Sequence, residues 1–229
     1  AHDLILKAWT SHDGPFNWEG KYFHHRQVNI WPRPYQEPHP PVWITANSLS
    51  QVEKVAQHGY VCATFLTGFE QTKSIFDTYR KTQSALGQTT RNDRLAYAAL
   101  VYTGKTDEEG YRGAEKLLWY LRANKVPPQF VNPPGYASVA ANVEMMKRQG
   151  KGIFSSFRKD ATVEECIKQG ILFAGNPDTV YKQIKRHYEY VGGYGHLLLM
   201  GQAGFLDHKE TVNGMKCFAQ EVYPRLKEL

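Results

Sequence analysis

The chain has 229 residues, 41% hydrophobic and 22% charged, which is ample for a globular core and too apolar for a disordered chain. No apolar run approaches the ~20 residues of a membrane span, and Cys62, Cys166 and Cys217 lie far apart without paired spacing, which excludes a disulfide framework or a cysteine zinc site. The net charge of +6 is interleaved with acidic residues rather than striped, so it reads as solvated helix faces and not a nucleic-acid surface, with an excess that suits an anionic small ligand.

These features predict a cytoplasmic protein with reduced thiols, bound to neither membrane nor nucleic acid. The chain opens AHDLILKAWT, with no initiator Met and no signal-peptide pattern, and is expected to be trimmed, processed or cut. Leu4 to Trp9 reads as the end of a helix and Phe16 to Ile30 as an aromatic-rich hairpin. Trp31-Pro32-Arg33-Pro34 then forms a rigid connector.

From there, strand-like and helix-like segments alternate. Val42–Ala46 is a β-branched and aromatic run, followed by a helix from Ser48 or Ser50 to about His58 that ends at Gly59. Tyr60–Phe65 is the second strand, and Phe69, Phe76, Tyr79 and Leu86 mark a helix stopped by Gly87. Leu95–Thr103 is the third strand, and Tyr111, Ala114, Leu117, Leu118 and Leu121 fall at helical spacing behind it. Val180, Ile184, Tyr188 and Val191 form another stripe, His196–Met200 a fourth strand, and Val212 to Leu226 a terminal helix. About four strand–helix units imply a parallel α/β sheet. The rhythm breaks over 123–170, a stretch that reads equally as a lid and as a plain surface insertion.

In parallel α/β folds ligands gather at the carboxyl ends of strands. The turn Thr45-Ala46-Asn47-Ser48-Leu49-Ser50-Gln51 opens a helix with hydroxyl and amide side chains, which fits either an anion site or ordinary capping by Ser48 or Ser50. Gly175-Asn176-Pro177-Asp178 is a structural helix start, because the Asp178 carboxylate already answers the dipole. Gly201-Gln202-Ala203-Gly204 lets a flat ligand approach the backbone or simply makes a turn. His24 and His25 alternate across a strand and make a poor metal pair, and His39 sits between prolines as a structural residue. No metal site, hydrolase triad, P-loop or dinucleotide loop is legible, and no catalytic residue is assigned.

Phe16 to Ser48 (FNWEGKYFHHRQVNIWPRPYQEPHPPVWITANS), Phe173 to Ile184 (FAGNPDTVYKQI), Gly195 to Gly204 (GHLLLMGQAG) and Cys217 to Leu226 (CFAQEVYPRL) together resemble the flavin-dependent luciferase-like monooxygenases, in order and rough spacing. The resemblance implies a (β/α)8 TIM barrel of which this chain carries strands five to eight. It is thus a single partial-barrel domain over 1–229, with residues 1–41 as helix end, hairpin and connector and 123–170 at the place of the family's mobile lid. It implies reduced FMN from a separate flavin reductase, O2 activation at the flavin, and a small apolar substrate such as an aldehyde or hydrocarbon. The phosphate turn maps to Asn47, Ser48, Ser50 and Gln51, the ring neighbourhood to the strand end Thr64-Phe65-Leu66, and the pocket floor to Gly201 and Gln202. Sulfonate-cleaving members carry Arg and His where Ala98 and Leu100 stand here, and the positions of the family's catalytic His and Cys fall in the absent half. An open half-barrel leaves strand edges and an apolar face bare, so a homo-oligomer or a complementing N-terminal half is expected. The alternatives are a non-catalytic half-barrel that binds flavin or merely self-associates, and an unrelated doubly wound α/β protein.

Overall fold

The computed structural model describes residues 1–46, 48–123, 143 and 161–229, which divide into two compact units, Ala1–Val42 and Trp43–Leu229. The first unit holds helix α1 (His2–Thr10) and an antiparallel hairpin of β1 (Phe16–Glu19) and β2 (His24–Val28). His24 Nδ1 lies 2.9 Å from Glu19 Oε2 while the His25 ring stacks on Phe23, so the two histidines serve separate contacts. His39 Nδ1 bonds the Pro40 carbonyl at 2.8 Å.

The second unit is a parallel sheet covered by helices. Its elements are β3 (Trp43–Thr45), α2 (Leu49–Gln57), β4 (Val61–Phe65), α3 (Gly68–Ala85), β5 (Leu95–Thr103), α4 (Asp107–Leu117), α5 (Trp119–Ala123), α6 (Val163–Gln169), β6 (Leu172–Gly175), α7 (Pro177–Tyr190), β7 (His196–Met200), α8 (His208–Cys217) and α9 (Tyr223–Leu226). A single π-helical stretch, Phe218–Val222, joins the last two helices. The sequence reading expected four strands, and all four are present. The sheet has a fifth, β6, which pairs with the carboxyl half of β5 from Leu100↔Leu172 to Thr103↔Gly175. Its four residues run directly into Asn176-Pro177, and that conspicuous helix-start signal drew Gly175 into the cap of α7 instead of the end of a strand. The expected single helix through Leu121 is broken at Leu118, and the expected terminal helix is interrupted by the π-helical stretch. Most of the 123–170 excursion lies outside the described residues; its last part is α6, which carries a capping box of Thr162 and Glu165.

β3, β4, β5 and β7 form the main ladder, with β4 and β7 on β5 in the registers Ala63↔Ala96 and Ala96↔His196. Because parallel partners point to the same side, Ile44, Cys62, Leu95, Tyr97, Ala99 and Val101 share one face, and all but Ile44 enter a core with Val52, Val55, Phe76, Tyr79, Val180, Ile184 and Phe218 from the helices. That is the helix-covered face. Ala63, Phe65, Ala98, Leu198 and Met200 share the other. On this second face Trp43 and His196, from the two outermost strands, bring their rings within 4.6 Å of each other. The sheet is therefore strongly curled, with this face concave. No disulfide joins the cysteines, and burial pushes the Cys62 thiol up to about 12, consistent with an inert core residue. No helix among the described residues is long and apolar enough to cross a membrane.

Close packing fixes the junction between α4 and β6. A Cβ added to Gly110 would lie 2.5 Å from the Gly175 Cα, so the two backbones touch where no side chain fits. Asp107 Oδ1 accepts a hydrogen bond from the Asn176 N–H at 2.8 Å and ties the same corner.

Candidate functional site: the carboxyl rim of the curled sheet

Three strand ends converge on the rim. Beyond β3, Ala46 is buried and its N–H donates to the Ala63 carbonyl at 3.0 Å, which anchors the turn. Asn47 lies outside the described residues. Ser48 is the N-cap residue of α2, yet its side chain accepts no bond from the helix; its hydroxyl donates to Gln51 Oε1 at 3.1 Å. The first turn of α2 holds no acidic residue, and Ser50 and Gln51 are exposed on it.

The other helices differ. Thr106, Asn176 and Asp207 cap α4, α7 and α8 through their side chains, while α1 and α3 carry Asp3 and Glu70 in their first turns. Among the described helices of eight or more residues, α2 alone combines an unused N-cap side chain with a first turn free of carboxylates. The N–H groups of Gln51 and Val52 both donate to the Ser48 carbonyl at 3.1 Å, those of Leu49 and Ser50 precede the first helical bond, and the dipole there favours an anion. At the start of α7, by contrast, Asn176 caps the helix and Asp178 in its first turn pairs with Arg225 at 2.6 Å.

Beyond β4, Leu66 is buried with φ at +52°, a left-handed conformation that strains a bulky residue, and its N–H donates to the Ala98 carbonyl at 3.0 Å. Thr64 turns its hydroxyl to the helix layer, 2.7 Å from Thr67, which in turn lies 2.7 Å from Thr72. The neighbouring Phe65 is the residue that presents its ring to the concave side, where it meets Tyr120 edge-on at 6.4 Å. The sequence reading takes Thr64-Phe65-Leu66 together as a strand end beside the ring; here Thr64 shares the helix-covered face of Cys62, while Phe65 faces the concave side. Ala98 and Leu100 on β5 make this face apolar, with Leu100 fully buried.

Beyond β7 come Gly201, half-buried, and Gln202, exposed. By alternation Gly201 belongs to the helix side and Gln202 to the concave side. The helix side holds a cavity of about 340 Å³, lined by Val101, Thr103, Leu199, Met215, Phe218 and Tyr223 among others, into which Thr103 brings a buried hydroxyl with no hydrogen-bond partner. Among the described residues no cluster of His, Cys, Asp or Glu could hold a metal ion.

A curled parallel half-sheet with helices on its convex side and an uncapped helix start on its carboxyl rim defines a barrel-type α/β protein. The luciferase-like monooxygenase family model matches residues 1–195, and the chain belongs to this family. It is 20% identical to 3,6-diketocamphane 1,6-monooxygenase of Pseudomonas putida over 97% of this chain and 60% of that protein. It is 24% identical to the FMNH(2)-dependent dimethylsulfone monooxygenase of Pseudomonas putida over 96% of this chain and 55% of that protein. Among solved structures, the oxygenating constituent of 3,6-diketocamphane monooxygenase in complex with FMN superposes with a TM-score of 0.67 at 21% identity, covering 98% of this chain and 61% of that one. The coenzyme F420-dependent tetrahydromethanopterin reductase of Methanopyrus kandleri superposes with a TM-score of 0.64 at 16% identity, over 98% and 61% respectively. The chain thus spans about three-fifths of the length of these relatives.

Proposed function

We propose that this chain is the flavin-holding part of a luciferase-like monooxygenase that uses reduced FMN, supplied by a separate reductase, and O2 to oxidise a small apolar molecule. The observation that carries the reading is the uncapped, carboxylate-free start of α2 on the rim of the sheet. Such a terminus suits a phosphate dianion, and the Ser48 hydroxyl, the Gln51 amide and Ser50 are donors of the right chemistry for it. The residues present therefore fit the phosphate end of FMN, with Asn47 as a further donor by resemblance.

When bound, the flavin supplies the redox chemistry with O2. The tasks left to this chain are holding, orienting and drying. The strained Leu66 turn and Phe65 border the ring position, and Gly201-Gln202 admit close approach at the floor. Ala63, Ala98, Leu198 and Met200 offer small and apolar surface that excludes water, and this favours an apolar substrate over an anionic one. Ala98 and Leu100 leave no charged group at the level where a sulfonate would need one.

Fluorescence titration with FMN, riboflavin and F420 tests the reading. Expected is FMN binding well below millimolar, with F420 weaker. Ser48→Ala combined with Asn47→Ala weakens FMN about tenfold or more while leaving riboflavin within a factor of about two, because only FMN carries the phosphate. Equal losses for both ligands, or no FMN binding at all, would remove the assignment.

A further inference from the structure

A fully buried hydroxyl joins two segments that no strand pairing connects. Tyr97 sits on the helix-covered face of β5 with no exposure, and burial raises its pKa, with the Gly68 backbone as the smaller, opposing influence. The oxygen therefore keeps its proton, and it works in both directions. It donates to the Gly170 carbonyl at 2.7 Å and accepts from the Gly68 N–H at 3.3 Å. Gly68 opens α3, and Thr67, the N-cap residue, makes no side-chain bond to the helix, so a residue of another strand takes the capping role. Gly170 is the left-handed C-cap of α6, with φ at +78°.

The two segments touch through their backbones. A Cβ on Gly68 would lie 2.5 Å from the Gln169 carbonyl oxygen, and one on Gly170 would lie 2.8 Å from the Phe69 ring. The His187 ring stacks on Tyr97 with centroids 4.2 Å apart and planes 19° from parallel, which steadies the phenol in the plane that aims its oxygen at this contact. The turn so fixed follows Phe65 and begins at Leu66, whose φ of +52° is a conformation that a leucine keeps only where its surroundings hold it. The far end of α6 is fixed as well. Arg122, on α5, donates Nε and Nη2 to the Ala161 carbonyl just ahead of α6, at 3.1 and 2.6 Å. α5 also carries Tyr120, whose ring meets Phe65 on the concave side. α6 is thus a strut between the turn behind Phe65 and the helix that presents Tyr120.

We propose that Tyr97 is a positioning residue for the flavin ring: its hydroxyl pins the Leu66–Gly68 turn to α6 and so sets the spacing of Phe65 and Tyr120 beside the isoalloxazine. The inference rests on the flavin reading of the preceding section, and it gives the ring end of that site a support on the opposite face of the sheet that touches no ligand. Without the hydroxyl, the Gly68 N–H and the Gly170 carbonyl lose their shared partner in a buried corner, and Leu66 relaxes toward ordinary backbone. The ring contact then loosens, while the phosphate end at the start of α2, which follows another strand, is untouched.

Tyr97→Phe keeps the ring and its stack on His187 and removes only the oxygen. It should weaken FMN and riboflavin equally, by about tenfold, because both carry the ring. Ser48→Ala, at the phosphate end, should weaken FMN alone. Tyr79→Phe is the control: it deletes another buried phenol hydroxyl, bonded to the Tyr60 carbonyl at 2.8 Å, and should leave both affinities within a factor of about two. A folded Tyr97→Phe that binds both flavins as tightly as wild type, whatever its thermal stability, overturns the proposal, and so does one that loses FMN more than riboflavin. Amide hydrogen exchange reads the same link without flavin. In Tyr97→Phe the Gly68 amide should exchange about tenfold faster, while the Ala46 amide, bonded to the Ala63 carbonyl on the phosphate side, keeps its rate; an unchanged Gly68 rate overturns the proposal. Should the variant not fold, wild type supplies the test: saturating riboflavin should slow the Gly68 amide more than the Ala46 amide, and an equal or smaller effect overturns the coupling. Wild type that binds neither flavin removes the functional reading and the positioning role together, whereas unchanged flavin binding in Tyr97→Phe removes the positioning role alone.

Discussion

His187 sits on α7 with no exposure, its ring 4.2 Å from that of Tyr97 and nearly parallel to it, with Phe69, Phe173 and Tyr194 around the remainder. Neither ring nitrogen makes a hydrogen bond. Burial pulls its pKa from 6.5 down to about 4, with the Gly68 backbone as the smaller, opposing influence. The neutral ring is thus the native form, and the unfolded chain binds the extra proton between those two values. Stability contributed here is full above pH 6.5 and lost as pH falls toward 4, at about 1.4 kcal/mol per pH unit, or about 2 kcal/mol by pH 5. Urea unfolding at pH 7 and pH 5 should show that loss, and His187→Phe should flatten it whatever the absolute stability of the variant. An unchanged slope would mean the ring is not held neutral. None of this environment was legible from sequence, because His187 is bracketed by Arg186 and Tyr188 and looks like one more solvated helix residue. Ser48 is the contrary case: residue type and position ahead of a helix were enough to single it out, and only the absence of a cap bond needed coordinates.

Among elements, Arg80 ties α3 to the carboxyl end of α7, in addition to the contacts of Phe69 with His187 and Tyr190. Arg80 donates Nη1 to the Val191 carbonyl at 2.8 Å and Nη2 to the carbonyls of Gly192 and Gly193 at 2.7 Å each. These carbonyls belong to the C-cap residue of α7 and the two glycines after it, and a guanidinium satisfies all three with a planar fork that an ammonium lacks. Arg80→Ala should cost about 2–3 kcal/mol, since hydrogen bonds to a charged group are stronger than neutral ones and their acceptors would be left in a partly buried corner. For a chain of this size that is a fall of roughly 5–10 °C in Tm, with Arg80→Lys intermediate. A loss within about 1 °C would show that water replaces the clamp. Helix ends of this kind were partly readable: Gly192-Gly193 announced the stop, and Gly59 and Gly87 announced two others, each with positive φ as a left-handed cap needs. The strands were readable where β-branched and aromatic runs exceeded four residues. β6 was not, because LFAG is too short to carry a period and its partner on β5 is some seventy residues away. Which strand residue faces which way also escaped the sequence at β4, since its adjacent residues Thr64 and Phe65 each suit either face.

At the scale of the whole molecule, ligand binding and folding become one equilibrium. The α2 start, the Leu66 turn and the Gly201-Gln202 stretch follow three different strands of one sheet. A flavin held among them has a site on the folded chain and none on the unfolded one. By linkage, FMN at about a hundred times its dissociation constant should add about 2.7 kcal/mol of stability. For a chain of this size that is a rise of roughly 5–10 °C in Tm. Riboflavin at the same concentration lacks the phosphate that the α2 start suits, and should raise Tm less. Thermal unfolding with and without each ligand measures the difference directly. Ser48→Ala provides the internal check, because its hydroxyl engages only Gln51: it should leave Tm without ligand within about 2 °C and shrink only the FMN-dependent part. A Tm indifferent to saturating FMN, or raised equally by riboflavin, would separate the flavin from the helix start.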